Sequence, residues 1–300
     1  MTEWHLDGRW GQILGIIFAA ALIILVIVML GLAIVNPISI LTFILGLGAL
    51  AALACAGFLA YWTWGLSHAI YTLDRNAVII QWGAYERQVP LSAIQNVLTA
   101  SEIKGLSLRG VLRWPGLWVG LGRAEGLGPV YFYASKPPGD MVFIQTAVRV
   151  YAISPVNKED FIAALRERQE MGPTQEVEES ERHPAIFDWE SWRDPMIWGL
   201  LGSSVLLWVL LLGLLAWRFP SLPPEIVLQT DAQGLPLLVA NANRIFYLAL
   251  LGAIFLVFNG GAGIIFYRRE RMLARVLWLG LLLLQSSLWI AALSILLAAA

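Results

Sequence analysis

One long uncharged segment limits the fold of this 300-residue chain more than any other feature. Residues 10–73 contain no Asp, Glu, Lys or Arg and are mostly apolar. A helix needs about 20 apolar residues to cross the ~30 Å hydrocarbon layer of a bilayer, so this segment can cross twice. Asn36-Pro37 lies in its middle, where a proline ends a helix and favours a turn. We therefore predict two membrane-spanning helices, residues 13–35 and 38–64, which form a hairpin within residues 1–68.

Three further apolar segments predict three more spans. They lie at residues 196–217, 245–266 and 276–298, and each is long enough to cross a bilayer. The composition agrees, because 58% of the residues are hydrophobic and 14% are charged, against about 45–50% and 25% in soluble proteins. We therefore predict a three-span transmembrane domain over residues 195–300, with a loop, residues 218–244, between its first two spans.

Charge and motif content argue against several classes of protein. The formal net charge is −1 and there is no basic tail, so we expect no nucleic-acid partner. Cys55 is the single cysteine, which excludes an internal disulfide and a multi-cysteine metal site. The sequence has no catalytic triad, zinc-protease, phosphate-loop or dinucleotide motif. We therefore expect no enzymatic activity, no cofactor and no metal.

The predicted orientation depends on four arginines between the last two spans, Arg268, Arg269, Arg271 and Arg275. Short loops rich in Lys and Arg stay in the cytoplasm, so this turn is predicted to be cytoplasmic. Counting back through the spans places the N-terminus and residues 69–194 in the cytoplasm. The loop 218–244 and the C-terminus are then predicted to lie outside.

Residues 69–170, between the second and third spans, show the pattern of short β-strands separated by turns. Asp74-Arg75-Asn76 predicts one hairpin turn. Residues 137–140, Pro-Pro-Gly-Asp, predict a second hairpin turn because prolines cannot continue strand pairing. The strands are therefore predicted to form an antiparallel barrel or sandwich.

A helix is predicted to close this strand-rich insert. Asn157 is a suitable N-cap, and acidic residues follow it in the first turn. Phe161 and Leu165 lie on one face of the predicted helix, residues 158–169. We expect this apolar face to plug the sheet.

Two segments of the insert resemble a known family. They are YAISPVNKEDFIAALRERQ, residues 151–169, and GLWVGLGRAEGLGPVYFYAS, residues 116–135. Together with the order of strands, they resemble bacterial pleckstrin-homology-like (PH-like) domains of the kind embedded between membrane spans. The resemblance covers about a third of the chain. It implies a seven-stranded bent sheet capped by a C-terminal helix, a role in oligomerisation or ligand docking, and no assigned activity for most members. The chain is accordingly expected in the bacterial cytoplasmic membrane.

The loop between the third and fourth spans carries a fainter resemblance. FPSLPPEIVLQTDAQGLP, residues 219–236, is similar to an extracytoplasmic LP-x-x-I-x-x-H-x-x-x-x-G pattern in bacterial multi-span proteins related to toxin-immunity proteins. Gln229 occupies the position of the histidine in that pattern. The resemblance therefore implies no imidazole-dependent role for this loop.

The segment 171–194 is acidic and rich in turn-forming residues. It is too polar to fold alone, which favours a linker between the insert and the third span. Residues 186–192 mix Ile, Phe and Trp with acids, so this part is predicted to lie along the membrane interface, with a plain linker as the alternative.

One stretch of the insert, residues 104–123, contains basic residues and tryptophans but no acid. Lys104, Arg109, Arg113, Trp114 and Trp118 are its candidate contact residues. Basic residues near an anionic leaflet gain about 1 kcal/mol each, and Trp favours the interface, so this stretch could bind lipid or an anionic ligand. The alternative is an ordinary sheet whose basic residues face solvent.

Two polar side chains interrupt the last two spans, Asn259 and Gln285. Counting from the predicted helix ends places them at similar depth, about 11 and 14 Å from the cytoplasmic side. An unpaired amide in hydrocarbon is costly, so we predict a hydrogen bond between these two residues, or one shared through Ser286.

The leading hypothesis is a non-enzymatic membrane protein whose PH-like module binds a protein partner or a second copy of the chain. The alternative is a sensor of anionic lipid or a small ligand that acts through residues 104–123. A transporter or membrane enzyme is the least favoured hypothesis, because the predicted spans carry no ionisable residue.

Overall fold

The computed structural model describes residues 2–175, 177–184, 194–231, 233 and 235–299. These residues form two compact units. One unit lies within residues 1–24 and 52–184, and the other lies within residues 25–51 and 185–300.

Five helices are long and apolar enough to span a membrane, as predicted. The mean hydropathy over 18 residues of each helix is between 2.1 and 3.3. Uncharged segments of this length form helices because only a helix satisfies every backbone polar group within one membrane-spanning segment. The α-helices of the described chain are α1 (Arg9–Val35), α2 (Ile40–Ser67), the shorter α3 (Lys158–Met171), α4 (Pro195–Arg218), α5 (Phe246–Tyr267) and α6 (Arg271–Ala298).

Small residues bring α1 close to its neighbours in the first unit. A Cβ atom on Gly15 would lie 2.1 Å from Thr63 Oγ1 of α2, and one on Gly11 would lie 2.4 Å from the carbonyl oxygen of Pro115. Glycine at these two positions therefore permits an approach that a side chain would block. The predicted turn at Asn36-Pro37 separates α1 from α2.

The first sheet of this unit is antiparallel and has the order β1-β2-β3-β4-β11. The predicted turn at residues 74–76 joins β2 to β3. Two strands come from outside the predicted insert, since β1 belongs to the N-terminus and β11 to the segment 171–194. The strands are β1 (Thr2–His5), β2 (Ile70–Leu73), β3 (Ala77–Trp82), β4 (Tyr85–Pro90) and β11 (Ser180–Arg182).

The second sheet has six strands in the order β5-β9-β10-β8-β7-β6. Its neighbours are antiparallel except for β10 and β8, which are parallel. The strands are β5 (Ile94–Thr99), β6 (Val111–Trp114), β7 (Leu117–Ala124), β8 (Gly128–Ala134), β9 (Val142–Thr146) and β10 (Val150–Ile153). The two sheets remain separate, so the sandwich prediction is right and the closed barrel is not formed. The insert contributes nine strands, β2 to β10, rather than the seven that the resemblance implied.

The predicted hairpin around residues 137–140 is wrong. The chain bends there, but β10 lies between β8 and β9 and pairs with both. The hairpin partner of β9 is β10, across Thr146 and Arg149. All four residues of β10 are buried, so β10 is a central strand of the sheet. Turn residues show where a strand ends, but they do not show which strand becomes its neighbour.

The helix α3 closes the sandwich as predicted. Phe161 and Leu165 are completely buried and belong to one apolar core with residues of both sheets. The ring of Trp4 from β1 packs edge-on against Phe161, with centroids 5.7 Å apart. Asn157 is the N-cap residue, but its side chain makes no cap hydrogen bond and Nδ2 instead lies 3.2 Å from Asp160 Oδ2.

The described part of the segment 171–194 is not a simple linker. The backbone N–H of Thr174 donates to Asn76 Oδ1 at 2.7 Å, and β11 pairs with β4. Backbone pairing at a sheet edge therefore orders a sequence that is too polar to fold alone. The predicted interfacial part, residues 186–192, lies outside the described residues.

In the second unit, α4, α5 and α6 pack around an apolar core that contains Leu211, Ile245 and Ala292. The loop 218–244 forms an antiparallel hairpin of β12 (Glu225–Thr230) and β13 (Pro236–Asn241). Ile226 of β12 is buried in the same core, so this hairpin is fixed to one end of the helices.

Candidate functional site

The structure places Arg113 directly opposite Trp118 on neighbouring strands but separates the two predicted tryptophans. Lys104, Arg109 and Arg113 are exposed. Trp114 packs against the core beneath α3, whereas Trp118 packs against the other core cluster of the domain. Trp114 and Trp118 therefore do not form one contact surface.

Trp114 nevertheless contacts a predicted span. Its ring packs edge-on against Phe18 of α1, with centroids 5.4 Å apart. Trp114, Leu112 and Leu117 line an apolar cavity of about 250 Å³ together with residues of α1 and α2. The turn between β6 and β7 therefore lies against the ends of two membrane-competent helices.

A second cluster was not predicted from the sequence. We call it the arginine–tyrosine site, and it consists of Arg87, Tyr131, Tyr133, Arg149 and Tyr151. Arg87 on β4 is only 7% exposed. Its Nε donates to the hydroxyl of Tyr133 at 2.6 Å, and its guanidinium carbon lies 4.7 Å from the ring centroid of Tyr131. The cation is thus held among aromatic rings, which favour a positive charge over their faces.

Acidic residues of the segment 171–194 bind to this site. Arg87 Nη2 lies 2.6 Å from Glu181 Oε1. The hydroxyl of Tyr151 donates to Glu179 Oε1. Residues 179–181 line a cleft of about 280 Å³ together with Arg87, Arg149 and Tyr151 of the site. The arginine–tyrosine site therefore holds two carboxylates of its own chain.

The electrostatics keep this site cationic and protonated at neutral pH. Burial, followed by the hydrogen bond to Glu179, raises the pKa of Tyr151 to about 12. Burial also raises the pKa of Tyr133, although Arg87 opposes the shift. Burial alone would lower the pKa of Arg87, but Tyr133 and Glu181 raise it by more. Such groups bind carboxylates and do not exchange protons near pH 7.

Complementary side chains face each other along β4 and β11. Arg87 is directly opposite Glu181, Glu86 is opposite Arg182, and Gln88 is opposite Ser180. Arg182 Nη1 lies 3.9 Å from Glu86 Oε1, and Ser180 Oγ donates to Gln88 Oε1 at 3.3 Å. The sequence carries a signal for this pairing, since Glu-Arg-Gln at 86–88 is complementary to Ser-Glu-Arg at 180–182 when read antiparallel.

The predicted hydrogen bond between Asn259 and Gln285 is not formed. Gln285 Nε2 instead donates to the carbonyl oxygen of Gly252 at 3.0 Å. The reason is the helix register, because α6 begins at Arg271 rather than near Val276 as predicted. Asn259 lies seven residues nearer the hairpin turn than Gly252, or about 10 Å along the helix. Gln285 is buried, and its Oε1 has no hydrogen-bond partner.

Arg275, one of the four arginines that set the predicted orientation, binds a carboxylate. Its Nη2 lies 3.1 Å from Asp194 Oδ2, and Tyr267 donates to the same oxygen at 2.9 Å. Asp194 also caps α4 by accepting from the backbone N–H of Met196. These hydrogen bonds, with that from Met196 first, lower the pKa of Asp194. The start of α4 and the turn between α5 and α6 therefore lie at the same end of the bundle.

The remaining predicted residues of this group lie near that turn. Arg268 and Arg269 are exposed, and the guanidinium carbon of Arg271 is 5.7 Å from the ring centroid of Tyr267. Within the described ranges, no group of three or more His, Cys, Asp or Glu side chains could hold a metal ion.

Two packed sheets closed by a helix, inserted among five apolar helices, define a membrane protein with a PH-like domain. Residues 69–169 match the family model described as the bacterial PH domain, so this part of the chain is a bacterial PH domain, as the resemblance implied. The match ends two residues before α3 does, and it includes neither β1 nor β11. Neither curated proteins nor solved structures gave a significant match to the chain.

Proposed function

We propose that this protein is a non-enzymatic integral membrane protein whose PH-like module binds a protein partner or a second copy of the chain. One observation carries the proposal. The strands β2, β3 and β4 belong to the matched domain, and both edges of this three-stranded sheet accept strands from outside it. The N-terminal β1 pairs with β2, and the linker strand β11 pairs with β4.

Addition of a strand to the edge of a β-sheet is a general mode of protein recognition. An exposed sheet edge presents unpaired N–H and C=O groups that bind an extended polypeptide. Backbone pairing supplies affinity, and the side chains along the edge select the sequence. A domain that accepts polypeptide at both edges of one sheet is therefore suited to bind protein.

The proposal places the module in the cytoplasm of a bacterial cell, at the inner membrane. The proposal is supported by the four arginines around the turn between α5 and α6, since short turns rich in arginine stay in the cytoplasm. Asp194, at the start of α4, contacts Arg275 near the same turn. The chain that leads from the PH-like domain into α4 would then arrive from the cytoplasmic side.

Photo-crosslinking in intact membranes tests this function. Val148 is 69% exposed at the rim of the arginine–tyrosine site, so a benzoylphenylalanine there should form light-dependent adducts of protein mass. The matched control is benzoylphenylalanine at Gly139, which is exposed at the opposite end of β9. Lipid adducts alone at Val148, or equal protein adducts at both positions, would contradict a specific protein-binding role.

A second candidate function, contact with anionic lipid, is favoured by the cavity beside Trp114. The cavity joins the turn between β6 and β7 to α1 and α2, so Arg109 and Arg113 of this region would lie near a bilayer surface. Full-length protein in nanodiscs with photoactivatable anionic lipid tests this function. Labelling should fall between about 0.05 and 0.5 M salt, because surface electrostatics are screened.

The variant Arg109→Gln/Arg113→Gln should lose most of this labelling. The control variant Arg75→Gln/Arg166→Gln removes the same charge from two other exposed positions. Labelling that is unchanged by salt, or equally reduced in both variants, would contradict a specific lipid contact.

A further inference from the structure

We infer that the edge of β4 and the arginine–tyrosine site form a docking site for an acidic extended peptide of a partner protein, which β11 occupies in its absence. This inference rests on the proposed protein-binding function and names the partner's chemistry. The partner segment would carry two carboxylates separated by one residue, in the manner of Glu179 and Glu181. Alternate residues of a strand share one face, so both carboxylates reach the site together.

The side chains of the site explain why it would select a peptide with two carboxylates. Glu181 binds Arg87, and Glu179 accepts from the hydroxyl of Tyr151. Arg149 adds a second cation, with its guanidinium carbon 5.4 Å from the ring centroid of Tyr131. A basic or apolar strand would leave these donors unpaired, which is unfavourable for partly buried groups.

The strand β11 has the properties of a releasable occupant. It is only three residues long and all three are exposed, and among the described strands its sheet neighbour is β4 alone. The Glu181 side chain keeps 32% of its surface exposed, whereas that of Arg87 keeps 8%. Short, exposed edge strands open at low energetic cost. Release would leave Arg87 cationic and without its carboxylate, so the open site would favour another acidic strand.

A peptide-binding experiment with the full-length protein tests the inference. The probe is a fluorescein-labelled synthetic peptide of residues 174–184, TQEVEESERHP. Because β11 belongs to the same chain as the site, it competes with the probe at high effective concentration. The wild-type protein should therefore bind this probe weakly. The variant Glu179→Gln/Glu181→Gln weakens the internal strand but leaves the site intact, and its Kd for the probe should be at least ~10-fold lower.

Two controls show whether charge recognition causes the change. The variant Glu167→Gln/Glu170→Gln makes the same charge change on the exposed face of α3 and should bind like the wild type. A probe with glutamine in place of both site-binding glutamates should lose most of its affinity for the opened variant. Equal binding of the two probes, or no gain in the opened variant, would overturn the inference.

A reversible disulfide tests whether β11 pairs with β4 of the same chain. Ser180 is directly opposite Gln88, so Gln88→Cys/Ser180→Cys in a Cys55→Ala background should form an internal disulfide. With Glu179→Gln/Glu181→Gln added, the disulfide becomes the main interaction that holds β11 on β4. The oxidised protein should therefore exclude the probe, and the reduced protein should bind it. A disulfide-linked dimer, or binding in both states, would overturn the proposed internal occupant.

The two proposals fail separately. Protein adducts at Val148 without Glu-dependent binding of the probe would refute the acidic docking site and support the protein-binding module. Glu-dependent binding of the probe without any protein adduct would support the docking chemistry and contradict the module's role in the membrane tested.

Discussion

The hydroxyl of Tyr71 donates a hydrogen bond to the backbone carbonyl of Tyr133 at 2.5 Å, and this bond joins the two sheets of the PH-like domain. The same hydroxyl accepts from the backbone N–H of Ser154 at 3.1 Å. Tyr71 is completely buried, and burial raises its pKa, so the hydroxyl keeps its proton. One side chain therefore satisfies two backbone groups in the core.

Replacement of Tyr71 by phenylalanine should destabilise the protein. Tyr71→Phe leaves the Ser154 N–H and the Tyr133 carbonyl without this partner in a buried core, so the free energy of unfolding should fall by about 1–3 kcal/mol. Denaturant unfolding of the full-length protein in detergent, followed by fluorescence, measures the change. Tyr247→Phe alters an exposed ring on α5 and serves as the control. Equal stability of the two variants would contradict the role of Tyr71.

The plug residue of α3 gives the largest expected loss of stability. Phe161 is completely buried against both sheets, so Phe161→Ala should cost ~3 kcal/mol or more through cavity formation. Arg166→Ala changes an exposed residue of the same helix and should have little effect. The same unfolding measurement applies, and a loss under ~1 kcal/mol for Phe161→Ala would show that the sandwich does not depend on this plug.

Alkaline pH should destabilise the arginine–tyrosine site through Tyr151. Folding raises the pKa of Tyr151 from 10.0 to about 12. Below pH 10 the hydroxyl is protonated in both states and its full contribution to stability is present. As the pH rises from 10 towards 12, the unfolded state loses this proton first, so stability falls. The midpoint of thermal unfolding should therefore decrease less steeply in Tyr151→Phe than in the wild type, and parallel curves would contradict the shift.

Packing of α5 against α6 should tolerate no side chain at Gly263. A Cβ atom there would lie 2.2 Å from Trp278 Nε1, whereas one at Gly261 would have no atom of the described residues within 4 Å. Gly263→Ala should therefore lower the free energy of unfolding by about 1–3 kcal/mol. Gly261→Ala should be neutral or slightly stabilising, because alanine favours helix. Loss of helicity on titration with a denaturing detergent measures both, and equal curves would refute the close contact.

Cysteine labelling tests the predicted orientation in a Cys55→Ala background. Gln233→Cys lies in the loop 218–244 and should react with a membrane-impermeant thiol reagent added to intact cells. Gly139→Cys lies in the PH-like domain and should react only after the cells are opened. Both positions are exposed, so a difference in labelling reports the side of the membrane. Reversed labelling would show that the arginine turn between α5 and α6 lies outside.

The sequence by itself determined the elements whose physical cause is local. Long uncharged segments produce five membrane-competent helices because each segment satisfies its own backbone and its apolar side chains favour lipid. The turn residues at 74–76 and the apolar face of α3 likewise predict the hairpin and the plug. The resemblance of residues 116–135 and 151–169 to a bacterial PH-like domain agrees with the family match.

The tertiary structure decided which of these elements become neighbours. The positions of β1 and β11 at the sheet edges, and of β10 between β8 and β9, depend on competition among strands with similar local patterns. Arg87 and Glu181 are 94 residues apart in the chain, and their contact exists only because β11 pairs with β4 in one register. Gln285 meets Gly252 rather than Asn259 because α6 starts at Arg271 and Trp278 packs against Gly263. Such registers arise from the sum of many distant contacts, which no single segment of sequence contains.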